Sequence, residues 1–108
     1  MRDNALSMPF FAVTMENGPN WDESRGRREQ DAWEEHAAFM DRLVADGYLV
    51  LGGPLDDVRT LHAMEAGSEQ ELRELFAQDP WAPMGLLRIA KIEPWTIWLD
   101  GRVSRGRT

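Results

Sequence analysis

The chain has 108 residues, 43% hydrophobic and 29% charged, with a formal charge of -7 and a pI near 4.7. That length supports one core, and the composition is that of a globular protein. The acidic balance argues against nucleic-acid partners, which need clustered Lys and Arg, and the lack of cysteine excludes disulfides, thiol nucleophiles and thiolate metal sites.

The apolar run Met8 to Met15 has no basic leader and no small-residue cleavage site, so it is taken as a strand and not a signal peptide. No run approaches the roughly 18 apolar residues that span a bilayer. A cytoplasmic protein without a membrane partner is the expectation. Pro9 to Glu16 is the first strand, closed by Asn17, Gly18 and Pro19. A long polar loop continues to about Gly26, carrying Trp21 as either a lid residue or a local anchor.

From about Arg28 to Asp46, Trp33, Ala37, Met40, Leu43 and Val44 mark an amphipathic helix that Gly47 ends. Tyr48 to Leu51 is a second strand stopped by Gly52, Gly53 and Pro54. Val58 to Glu65 is a third, beyond an Asp56-Asp57 turn. Ser68 and Glu71 form a capping box for a second helix with Leu72, Leu75 and Phe76 inward, and Asp79-Pro80 closes it. Met84 to Glu93 is the fourth strand. Beyond Pro94, Trp95, Ile97 and Leu99 alternate, as in a fifth short strand or a segment laid across a partner. Arg102, Arg105 and Arg107 lie in a terminus expected to fray.

This order predicts one α+β domain over 1–108, with its core at about 9–95 and a tail at 96–108. It is a ferredoxin-like βαββαβ unit: a four-stranded antiparallel sheet with two helices on one face. The strands are apolar on both sides. Phe10 and Ala12 oppose Phe11, Val13 and Met15, so the bare face is expected to pair with a second copy, giving a homodimer.

Two polar residues stand out as carriers of chemistry. His36, between Trp33 and Met40, borders the inward stripe of the first helix, and histidine titrates nearest neutral pH. Asp79 comes after the second helix, which packs on the same face of the sheet. Each also has a purely structural reading, as a buried histidine bonded to backbone and as a turn residue. His62 is expected in the core or an interface, Trp81 near a pocket, and Gly52-Gly53-Pro54 is a strand exit without phosphate-loop spacing. Two histidines without cysteine make a poor metal site. No metal or cofactor is expected.

The sequence from His36 through Gly47, Tyr48-Leu49-Val50, Gly52-Gly53-Pro54, Ser68-Glu69, Asp79-Pro80 and Glu93-Pro94-Trp95 resembles the YCII-related family of dimeric α+β barrel proteins. The resemblance covers about residues 9 to 95. It implies a ferredoxin-like protomer dimerising through its sheets, with an active site on His36 and Asp79 and a turn at Gly53 and Pro54. Among family relatives it implies dehydrochlorination of hydroxylated aromatics, and in the wider superfamily lactone isomerisation and cofactor-free oxygenation. The expected function is therefore cofactor-independent acid–base chemistry, lyase- or isomerase-like, on an aromatic or cyclic oxygenated substrate bound near Trp33, Gly53, Pro54 and Trp81. The alternative is a non-catalytic small-molecule-binding or accessory module on the same scaffold. The insert at 17–26 and the tryptophan-rich tail depart from the family pattern.

Overall fold

The computed structural model describes residues 9–102; Arg105 and Arg107 lie outside the described residues. Strand β1 (Phe10–Asn17) is followed by a single 3-10 turn (Arg27–Glu29) and helix α1 (Trp33–Ala45). Strands β2 (Leu49–Pro54) and β3 (Arg59–Glu65), helix α2 (Glu69–Phe76) and strand β4 (Leu87–Pro94) complete the order. The sheet runs β2-β3-β1-β4 with every neighbouring pair antiparallel, which is the ferredoxin-like arrangement.

Register assigns each strand's two faces. Phe11 pairs with Met64, Val13 with His62 and Met15 with Thr60, and these residues are buried beneath the helices. They pack with Phe39 and Leu43 of α1, Leu72 and Phe76 of α2, and Trp81, Leu86 and Leu87. At about 25 cal/mol per Å² of buried apolar surface, this cluster is the main force holding both helices to the sheet.

Helix α1 begins at Trp33 and not near Arg28. Residues 27–29 form the 3-10 turn, and Ala32 precedes the helix in the left-handed region (φ 60°), a costly conformation for a residue with a Cβ. Its inward stripe is rotated by about one position from the expected one. His36, Phe39 and Leu43 are buried, while Val44 is 56% exposed. The helix ends in a Schellman motif: Gly47 (φ 86°) donates to Val44 O and Tyr48 N donates to Leu43 O. For α2, Ser68 Oγ accepts from Glu71 N at 3.1 Å, and the Glu71 carboxylate reaches back to Gly67 N at 2.6 Å.

Three sequence expectations change. Gly52, Gly53 and Pro54 do not stop β2, which runs through them along β3; a register shift between Leu49 and Leu51 absorbs one extra residue. Strand β4 starts at Leu87 and not Met84, because the chain is still turning there, with Gly85 N on Ala82 O and Leu86 N on Trp81 O. The segment 95–100 forms no fifth strand. Instead it folds back on its own sheet. Trp95 N donates to Phe10 O at 2.9 Å, the Trp95 ring meets Phe10 edge-on at 5.9 Å, and the Arg102 guanidinium lies 5.6 Å from the Phe10 ring centre. Among the described residues no helix is long and apolar enough to cross a membrane.

Candidate functional site

The inward stripe of α1 carries His36 over the sheet, and the turn after α2 brings Asp79 to meet it. His36 Nδ1 lies 2.8 Å from Asp79 Oδ2 and 3.0 Å from Oδ1, with the two residues 5% and 2% exposed. An ionised carboxylate only accepts, so the geometry suits a ring with its proton on Nδ1 and its lone pair on Nε2. Asp79 is fixed in turn by the Trp81 backbone, whose N–H donates to Oδ1 at 3.0 Å. The turn therefore binds its own aspartate before presenting it to the histidine.

Aromatic side chains enclose the pair. The fully buried Trp81 ring stacks on the His36 imidazole, with centres 3.8 Å apart and planes 5° from parallel, and its Nε1 donates to Asp31 O at 2.7 Å. Trp33 lies 5.9 Å from both rings. Trp21 meets Trp81 edge-on at 5.6 Å, so it anchors the long loop to the core. Gln30, 3% exposed, holds that loop from inside, donating to Asp22 O and Arg25 O and accepting from Asp22 N.

Beside this enclosed cluster is an open cleft of about 580 Å³ between the loop and the β2–β3 turn. Trp21, Arg27, Pro54 and Val58 are among its walls, and Asn17 ties its two sides together by bonding Asp57 O and Val58 O. Arg27 joins cleft to cluster: its guanidinium carbon is 5.2 Å from the Trp21 ring centre and 6.0 Å from that of Trp81. Burial lowers its pKa below the ordinary arginine value.

His62 belongs to the same region. It is 5% exposed, and its Nδ1 lies 3.3 Å from Val13 O. Burial holds its pKa below 6.5, the backbone contact opposes this, and the charge of Arg27 reinforces it. Gly52 gives the imidazole its room, since a Cβ there would come within 2.7 Å of His62 Cδ2.

The sequence-predicted residues thus fall in different places. His36, Asp79, Trp33 and Trp81 come together, and Pro54 lines the cleft next to them. Gly53 pairs with Leu61 on the strand face turned away from the helices, and a Cβ there would meet nothing within 4 Å. Arg27, Gln30 and the proximity of His62 have no local signature. Phe39 does have one, three residues after His36 and four before Leu43. Among the described residues no three His, Cys, Asp or Glu side chains cluster to hold a metal ion.

The topology and register define a ferredoxin-like α+β protein with a buried histidine–aspartate pair on its helix face. A family model for the YCII-related domain matches residues 9–96, and the chain belongs to that family. Neither the curated proteins nor the solved structures give a match.

Proposed function

We propose that the protein is a cofactor-independent small-molecule enzyme in which His36 moves a proton and Asp79 positions it. The observation that carries this is the contact of 2.8 Å between two nearly buried titratable groups drawn from different elements. Asp79 fixes the Nδ1–H tautomer, so Nε2 is the atom that takes up or delivers a proton, and the carboxylate balances the charge on the ring when it does. Trp21, Pro54 and Val58 form the apolar part of a neighbouring cleft whose other walls are mostly polar or charged, which suits an aromatic or cyclic oxygenated substrate undergoing lyase- or isomerase-like chemistry. The cleft meets the pair through Trp81, which stacks on the imidazole and packs against Trp21 and Arg27.

The discriminating variant is His36→Asn. Its amide nitrogen replaces Nδ1 and keeps the bond to Asp79, but nothing replaces Nε2. Turnover of hydroxylated aromatic acids and lactones, screened as a panel on the wild type, should fall at least about 100-fold in a protein that melts normally. Undiminished turnover in that variant would end the proposal. A second reading is favoured by the near-complete burial of the pair beneath Trp81: a structural strut holding the turn after α2, in a module that binds its ligand without transforming it. It predicts that His36→Asn leaves every property intact.

We also propose that the protomer pairs with a second copy through the face opposite the helices. Phe10, Ala12, Leu51 and Leu61 share this face by register, Leu51 is 65% exposed, and Trp98 and Leu99 beside it are 88% and 92% exposed. Segment 95–102 lies over the Phe10 end, so a partner would meet both sheet and tail.

A further inference from the structure

The cleft beside the histidine–aspartate pair contains one cation with nothing to neutralise it. Among the described residues, Arg27 makes no ion pair and its guanidinium makes no hydrogen bond; its only side-chain partners of note are the rings of Trp21 and Trp81. A guanidinium has five N–H donors, and half-burying it without an acceptor costs desolvation that nothing in the protein returns.

The other charges lining the cleft are accounted for differently. Arg25 is engaged by Asp22 at 3.0 Å and Asp31 at 3.3 Å. Asp56 is engaged by Arg59 at 2.9 Å and by the backbone N–H groups of Val58 and Arg59. Glu23 and Asp57 remain, both exposed, where water and salt screen them. The deepest unspent charge is therefore positive and the rim is negative, a pattern that admits one anionic group and opposes a second.

We infer that the cleft takes a flat organic monoanion, a monocarboxylate on an aromatic or similar ring, with its carboxylate paired to the Arg27 fork and its ring beside Trp21, Pro54 and Val58. Arginine matches a carboxylate through two parallel N–H···O bonds, which gives direction as well as charge recognition. Arg27 also lies 6.0 Å from the Trp81 ring that stacks on His36, so an anion held there is one ring removed from the pair. The monocarboxylate is then the substrate class of the acid–base site; its binding stands without that reading, and only its turnover rests on it.

The test is a titration of the full chain with para-hydroxybenzoate, its neutral amide and the corresponding benzylamine, monitored by the indole N–H resonances of Trp21 and Trp81. The benzoate should shift Trp21 saturably, with the amide about tenfold weaker and the amine weaker still. Arg27→Gln should abolish the preference for the acid over the amide, and Arg27→Lys, which keeps the charge without the fork and covers a folding failure of the first variant, should weaken benzoate about tenfold. His36→Asn should bind benzoate as the wild type does. No saturable shift with the benzoate, equal binding of acid and amide, or unchanged preference in a folded Arg27 variant would overturn the inference. Benzoate binding through Arg27 together with full turnover in His36→Asn would instead remove the acid–base reading and leave the anion site standing.

Discussion

Replacing Asp79 with alanine removes the acceptor for two buried donors at once. His36 Nδ1–H loses both carboxylate oxygens, at 2.8 and 3.0 Å, and the Trp81 backbone N–H loses its partner at 3.0 Å. Each unsatisfied buried donor costs about 1–3 kcal/mol. A loss of about 2–6 kcal/mol is therefore expected, a large part of the roughly 5–15 kcal/mol that holds a domain together. In Asp79→Asn the amide oxygen still accepts from Trp81 N, while its NH2 group turns a donor toward Nδ1, so a smaller loss of about 1–2 kcal/mol is expected. Guanidinium unfolding monitored by tryptophan fluorescence reads both, because three of the five tryptophans pack around this pair. If Asp79→Ala unfolds within about 1 kcal/mol of the wild type, Asp79 does not hold the turn after α2 in the way its hydrogen bonds imply.

The same geometry makes further demands. Gly52→Ala should cost about 1–3 kcal/mol, because its Cβ would press on His62 at 2.7 Å, whereas Gly53→Ala, with open space around its Cβ, should be neutral or stabilising; thermal melts that rank them the other way would exclude this placement of His62. His62 has a folded pKa below its ordinary 6.5, so the unfolded chain binds its proton first as pH falls. Stability present above about pH 6.5 is then lost below it, by at most about 1.4 kcal/mol per pH unit. His62→Asn, which can still donate to Val13 O, should flatten the acid side of a stability–pH curve. For the sheet-face pairing, Leu51→Lys with Leu61→Glu should shift sedimentation from dimer to monomer without loss of helix by circular dichroism. An unchanged sedimentation coefficient would count against that face.

The sequence announces the elements better than it announces their contacts. An aromatic and β-branched run closed by Gly and Pro marks β1, the Asp56-Asp57 turn marks the start of β3, and Ser68, Glu71 and Gly47 mark helix ends, because these signals act within a few residues. Gly52-Gly53-Pro54 misleads because the local signal is overridden by pairing: β2 tracks β3 through three residues that would otherwise break it. His36 is legible as a residue near the inward stripe, yet its central place depends on a rotation of α1 set by Ala32 and the loop before it. Arg27 and Gln30 owe their environments to a turn stitched across eight residues and to rings from two other segments, and no periodicity encodes that. Trp21 looks out of place among polar residues for a physical reason: its partner, Trp81, is sixty positions away.

The acid–base proposal turns on Asp79 fixing the proton of His36 on Nδ1 and leaving Nε2 free for chemistry. Nitrogen-15 correlation spectra of the imidazoles in alkaline solution, where a histidine is ordinarily neutral, read this atom by atom. The expected result is an Nδ1–H, Nε2-bare ring for His36 in the wild type, relaxing toward a mixture of tautomers in Asp79→Ala. A neutral His36 carrying its proton on Nε2 would contradict it, because the lone pair would then face the carboxylate and no base would remain for a substrate.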